Sequence, residues 1–227
     1  MYFHPIITNQ KTVSMTSSIK RKSIVLFFLL LALTTSRSFA QFSLQSVQIG
    51  AKAGGNFYKF GTARSFDNKT YPSFSAGGYA ELNFTPKWSL QPELLWSETI
   101  AQTGDGFNQI YGGYGAISSK IYLNYISLPV LVVFKPVPEL SILLGPQYGY
   151  LVNQTTGLVQ GKDAFSKSDL SIVGGAQLNL GKVKLGARYS GAVISTNGIN
   201  NSDSWKAHGF QLYLGYQIWD LKIKRKK

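Results

Sequence analysis

The chain has 227 residues, of which 15% are charged and 14% aromatic, with 23 Gly and no Cys. The lack of Cys excludes thiolate metal sites, thiol catalysis and disulfide staples, and is compatible with passage through an oxidising periplasm. Net charge falls from +13 to +8 once Lys11, Lys20, Arg21, Lys22 and Arg37 are set aside with their acid-free N-terminal segment; no basic-aromatic stripe remains to bind nucleic acid.

Residues 1–40 read as an N-terminal extension and a cleaved secretory signal peptide. Lys20-Arg21-Lys22 is the positive region, and Ile24 to Leu33 is an apolar run too short to span a bilayer. Ser38-Phe39-Ala40 presents small residues where signal peptidase reads, so the expected cleavage lies between Ala40 and Gln41. Met15 makes a better start than Met1, because Thr16 to Lys22 then forms an ordinary n-region. No later stretch approaches the ~20 apolar residues of a spanning helix.

From Val47 the chain alternates in short segments, at about 47–57, 73–84, 88–98, 120–134, 139–151, 169–180, 183–193 and 208–219. Tight turns separate some of them: Thr85-Pro86-Lys87, Lys135-Pro136-Val137-Pro138 and Gly181-Lys182. Long polar connections at about 58–72, 99–119, 152–168 and 194–207 separate the others. Long and short connections alternate throughout. An up-and-down barrel puts every second connection on the same side, so this sorting predicts an all-β, eight-stranded antiparallel transmembrane barrel with short periplasmic turns and long extracellular loops. The barrel domain is expected over 41–219, with a basic periplasmic tail at 220–227.

Parity assigns the faces, because successive side chains in a strand point to opposite sides. Trp88, Leu90, Pro92, Leu94 and Trp96 share one face of the third segment; Ser89, Gln91, Glu93, Leu95 and Ser97 share the other. The same reading places Trp88, Trp96, Tyr148, Tyr150, Tyr189 and Phe210 in a lipid-facing aromatic girdle. The fourth segment breaks the rule: Ile126 to Phe134 give a good outward face, yet Leu131 and Val133 point inward and Ile121 and Leu123 have the opposite parity. A bulge near Asn124 to Ser127 would reconcile its halves.

Tyr125-Ile126-Ser127-Leu128-Pro129-Val130-Leu131 resembles the Tyr-Leu-x-Ile-Pro-Leu-Leu strand of Bacteroidetes outer-membrane barrels, with two residues between Tyr and Leu-Pro. Leu143-Leu144-Gly145-Pro146-Gln147-Tyr148-Gly149 resembles that family's Gly-Pro-x-x-Gly segment. Ile49 to Asn56 and Gln91 to Leu95 resemble its first and third strands. Over residues 41–219 the chain thus resembles the PorT-like outer-membrane β-barrel family, with Tyr125, Leu128, Pro129, Gly145 and Pro146 carrying the likeness. The resemblance implies an outer-membrane barrel, usually without enzymatic activity. The family namesake's link to protease export does not follow from fold. The chain departs from the usual aromatic end of such barrels, since eight residues follow Trp219.

Lys52, Glu81, Glu93, Lys184 and Arg188 point inward by parity. Isolated buried charges are costly, so they are expected to pair, either as a plug that fills a narrow barrel or as a charged constriction that selects small ions. The catalytic inventory is thin: after Gln41 there is one His, His208, near Ser204 with Asp203 or Asp169 as acids. No catalytic residue, metal site or cofactor site is assigned from it. Gly112-Gly113-Tyr114-Gly115 lacks the phosphate-loop pattern. Phe107, Tyr111 and Tyr114, among Gly and Asn, have the composition of an adaptable binding surface. The expected partners are outer-membrane lipid, the outer-membrane assembly machinery and a protein bound through the external loops, while the tail could touch anionic headgroups. Four functional readings follow: a structural or interaction barrel, a narrow pore or secretion component, a hydrolase using His208, and a soluble ligand carrier.

Overall fold

The computed structural model describes residues 43–61, 64–112, 120–154, 164–199 and 203–223. Eight antiparallel strands follow in order: β1 (Ser46–Gly61), β2 (Tyr71–Asn83), β3 (Trp88–Gln102), β4 (Lys120–Val137), β5 (Leu140–Gln154), β6 (Ser168–Leu180), β7 (Val183–Ala192) and β8 (Lys206–Lys222). Each pairs with its neighbours in sequence, and β1 pairs with β8 to close the barrel. Closure leaves no unpaired edge, which is the condition for crossing lipid with strands. A six-residue helix, α1 (Gly106–Tyr111), lies in the second long connection. The expected signal segment and its cleavage point at Ala40 and Gln41 lie outside the described residues.

The strands form where β-branched and aromatic residues alternate with small or polar ones, and they stop at Pro and Gly. Gly181 ends β6 with φ +64°, a left-handed conformation that only a residue without Cβ takes at no cost. One expected turn is shorter than its sequence suggested. Lys135, Pro136 and Val137 continue β4, across a register irregularity between Phe134 and Val137, and only Pro138 and Glu139 turn.

The outward face is apolar around the whole barrel. Trp88, Leu144 and Leu214 are 43%, 60% and 52% exposed, where a water-soluble barrel of this size would bury them. The girdle residues Trp88, Trp96, Tyr148, Tyr150, Tyr189 and Phe210 all point outward as well.

Two irregularities revise the strand reading. β4 keeps strict alternation, so Ile121 and Leu123 point inward and are fully buried. A register shift does fall between Asn124 and Tyr125, but the extra residue, Val152, belongs to β5 and leaves the parity of β4 intact. At the other end β8 runs past Trp219 through Asp220 and Leu221 to Lys222, paired with Ser46 to Gln48. A bulge at Ile218 lets both Ile218 and Trp219 face outward, because one unpaired residue resets the face of everything beyond it.

Candidate functional site

The inward charges gather into two clusters. Near mid-height Lys52 Nζ of β1 donates to Glu93 Oε1 of β3 at 2.5 Å, and Arg188 Nη1 of β7 donates to Glu93 Oε2 at 2.8 Å. Gln91 Nε2 adds a bond to Oε1 at 2.7 Å. Toward the short turns, Glu81 of β2 pairs with both Lys184 and Lys135 and accepts from Ser89 Oγ at 3.0 Å. Each cluster holds two cations on one carboxylate. The surplus charge lies against aromatic faces: Lys52 Nζ sits 3.8 Å from the ring centre of Tyr213, and Lys184 Nζ 4.8 Å from that of Tyr79. Ion pairing to Glu81 and Glu93, together with ring contacts on Tyr79 and Tyr213, lets these charges stay buried, since a lone one costs several kcal/mol or more.

The structure therefore brings together all five residues read from parity, and adds a sixth. Lys135 escaped the sequence reading because it was placed in a turn; as part of β4 it reaches Glu81 and also donates to Asn83 Oδ1 at 2.8 Å. Above the central cluster Gln211 Nε2 donates to Asn56 Oδ1 at 2.5 Å and Ser75 Oγ at 2.6 Å. Leu131, Val133, Leu143 and Val173 fill the wall on the β4–β6 side.

The long-loop end is sealed by an aromatic cap to which all four long connections contribute. Phe60 at the end of β1 and Phe66 beyond it meet Phe107 and Tyr111 of α1, Phe165 of the third connection and Trp205 of the fourth. Trp205 is the hub, with ring centres of Phe66, Tyr111 and Phe165 at 5.1, 5.5 and 4.9 Å. Ile121, Leu123 and Leu151 form the floor below it. Polar ties fix the loops. Asp203 Oδ2 accepts from Ser65 N at 3.0 Å and Ser65 Oγ at 2.5 Å, and Asn197 Nδ2 donates to Tyr111 Oη at 2.7 Å. Bridges Phe66–Thr103 and Phe165–Asn197 stitch the loops in pairs. Burial raises the pKa of the Tyr111 phenol, which keeps it neutral in its contact with Asn197.

This corrects the reading of the second loop. Phe107 and Tyr111 are fully buried inside the cap, so they present no binding surface. Tyr114, with Gly113 and Gly115, lies outside the described residues. The side chains considered for hydrolysis are not assembled either. His208 lies on the outer face of β8, 6.4 Å from the Tyr189 ring, whereas Asp203 binds Ser65 and Asp169 accepts from Ser171 Oγ inside the barrel. Of the motif residues, Tyr125, Pro129 and Gly145 line the interior side and Leu128 and Pro146 the outside.

A closed eight-stranded barrel with an apolar exterior, a charged interior and loops sorted by length is a transmembrane β-barrel. The chain belongs to the outer membrane protein beta-barrel domain family, whose model matches residues 39–215. It resides in the bacterial outer membrane, with its short turns periplasmic and its long loops extracellular. Among curated proteins none matches the sequence. Similar solved structures include Ail, the attachment invasion locus protein of Yersinia pestis, in complex with the heparin analogue sucrose octasulfate. It is 16% identical, over 78% of this chain and 100% of that one, with a TM-score of 0.45. Neisserial surface protein A is 13% identical over 76% and 97%, TM-score 0.44. OprG from Pseudomonas aeruginosa is 11% identical over 78% and 98%, TM-score 0.40.

Proposed function

We propose that this protein is a non-enzymatic, non-conducting outer-membrane barrel that serves as a structural or interaction element through the outer surface of its loop cap. The observation that carries this reading is the central cluster: Glu93 ties Lys52 and Arg188, from β1 and β7, to β3 across the lumen. A solute would have to break both pairs to pass, and would still meet the aromatic cap. The motifs around Pro129 and Gly145 support a place among PorT-like barrels of Bacteroidetes. Export by a signal peptide ending at Ala40, a barrel domain from Gln41 to the end of β8 at Lys222, and a basic tail after it facing anionic headgroups complete the reading. The assembly machinery is then one partner and a protein bound at the loops another.

The alternative of a narrow pore draws on a cavity of about 310 Å³ at the periplasmic end, lined by Gln48, Lys135, Glu139, Asn179, Lys184 and Gln217. Planar-bilayer recordings separate the two. The plug reading expects no discrete conductance from the wild type or from Glu93→Gln, and a loss of about 3–5 kcal/mol in the variant's urea unfolding free energy, the usual result of orphaning buried charges. Stepwise wild-type currents whose ion selectivity changes in Glu93→Gln would establish the pore instead.

A further inference from the structure

On the outer wall, at the seam between β8 and β1, Lys59 stands directly opposite His208, and Lys206 follows two residues nearer the loops. All three share the outward face with Phe57 and Phe210, so they project sideways from the barrel rather than up from the cap. Lys59 and Lys206 are diagonal neighbours, with Cβ atoms about 7–8 Å apart, close enough for both ammonium groups to reach one anion. Neither forms an ion pair among the described residues. β1 and β7 contain no acid, and the only one on β8, Asp220, lies at the periplasmic end. The acids of the adjoining connections are taken up locally, Asp203 by Ser65 and Asp67 by the Tyr71 hydroxyl at 2.6 Å.

Height identifies what faces them. The rung just below joins Tyr189, Phe210 and Phe57 across β7, β8 and β1, with the Tyr189 and Phe210 ring centres 5.1 Å apart. Such an aromatic row marks the boundary between hydrocarbon and headgroups. Lys59 and His208 lie two residues beyond it, about 7 Å of strand or ~5 Å of depth at a tilt of ~40°, and so at the level of the outer leaflet's headgroups. Like charges held together there repel unless an anion joins them, and headgroup phosphates supply that charge. Further down, the wall thins. The rungs Leu214–Ala53–Ala76–Trp96 and Tyr216–Ala51–Gly78–Leu94 set small residues of β1 and β2 between large ones of β8 and β3. This shallow groove lies about 20 Å of strand below Lys59, or ~15 Å of depth, which is one leaflet's share of a ~30 Å hydrocarbon core. We infer that the β8–β1 seam binds one phosphorylated lipid of the outer leaflet, its phosphate held by Lys59 and Lys206 beside His208 and an acyl chain lying in the Ala53 groove. This holds whether or not the lumen conducts, since the seam lies wholly on the outside.

The test uses the full barrel in uncharged detergent micelles and counts bound lipid by native mass spectrometry. The wild type should take up one diphosphoryl lipid A at concentrations where the dephosphorylated form does not bind, and excess inorganic phosphate should not displace it. The double variant Lys59→Gln/Lys206→Gln should bind roughly tenfold or more weakly, as expected for losing two lysines beside an anionic headgroup. Lys87→Gln/Lys182→Gln removes the same net charge at the exposed periplasmic turns and should bind as the wild type does. Ala53→Phe keeps both lysines and, by filling the groove, should weaken binding several-fold. Heat-modifiable migration on gels establishes that each variant is folded. Equal affinity for the two lipid forms, full affinity in Lys59→Gln/Lys206→Gln or in Ala53→Phe, or an equal loss in the periplasmic variant would each overturn the assignment. So would displacement by inorganic phosphate, which marks a site for a free anion, or a lipid-free dimer, in which a second copy covers the seam.

Discussion

At Gly145 the barrel wall leaves no room for a side chain. A Cβ there would lie 2.1 Å from the Val130 carbonyl oxygen and 3.0 Å from Leu131 Cα, both backbone atoms that cannot step aside. The opposing strand is irregular at the same height: Pro129 supplies no N–H, and regular pairing between β4 and β5 resumes only at Val132 and Leu144. The Leu-Pro and Gly-Pro segments thus face each other, and their letters record a close approach of two strands. Gly145→Ala should cost about 1–3 kcal/mol, the range for forcing atoms into a packed wall. The check is the urea midpoint in micelles; an unchanged midpoint would mean that the strands separate freely. Side-chain facing was legible at this scale, because period-two alternation alone put Lys52, Glu81, Glu93, Lys184 and Arg188 inside. Pairing was not, since parity gives a direction and says nothing of height or azimuth. Lys135 was lost for a related reason: the prolines at 136 and 138 read as a turn, yet the first of them is accommodated within β4 near its end.

The strands and the loops differ in how plainly they announce themselves. Eight strands could be counted because apolar alternation and Pro or Gly punctuation agree along the chain. The cap could not be foreseen from composition, as aromatic residues among Gly, Asn and Ser describe an exposed loop and a folded one equally well. One signal did point to it. Ile121 and Leu123 carry apolar side chains to the inside of a polar barrel, and such residues need an apolar cover. The bulge invoked to turn them outward was the wrong remedy; Phe107, Tyr111 and Trp205 fold over them instead. Because Trp205 touches contributions from the first three long connections, the cap should behave as one cooperative unit. Trp205→Ala should remove about 3–5 kcal/mol of its packing. Limited proteolysis should then clip the variant in its long loops while the strands remain protected. Resistance equal to that of the wild type would show that the loops fold independently of Trp205.

For the molecule as a whole the solvent is reversed: charges lie in the lumen and apolar side chains coat the outside. Trp88 and Trp96 share the outer face of β3, separated by about 27 Å of strand, or about 20 Å of membrane depth at a tilt of ~40°. That spacing sets an aromatic residue near each interface. Trp219 also faces outward, whereas Trp205 is fully enclosed by the cap. Single-tryptophan variants in bilayers with brominated acyl chains convert this arrangement into a measurement. Fluorescence from Trp88 and Trp96 should be quenched by the brominated lipid, and that from Trp205 should be left untouched by both lipid bromine and aqueous iodide. Emission from Trp88 and Trp96 that ignores the bromines but yields to iodide would contradict a barrel whose outer face is dissolved in lipid.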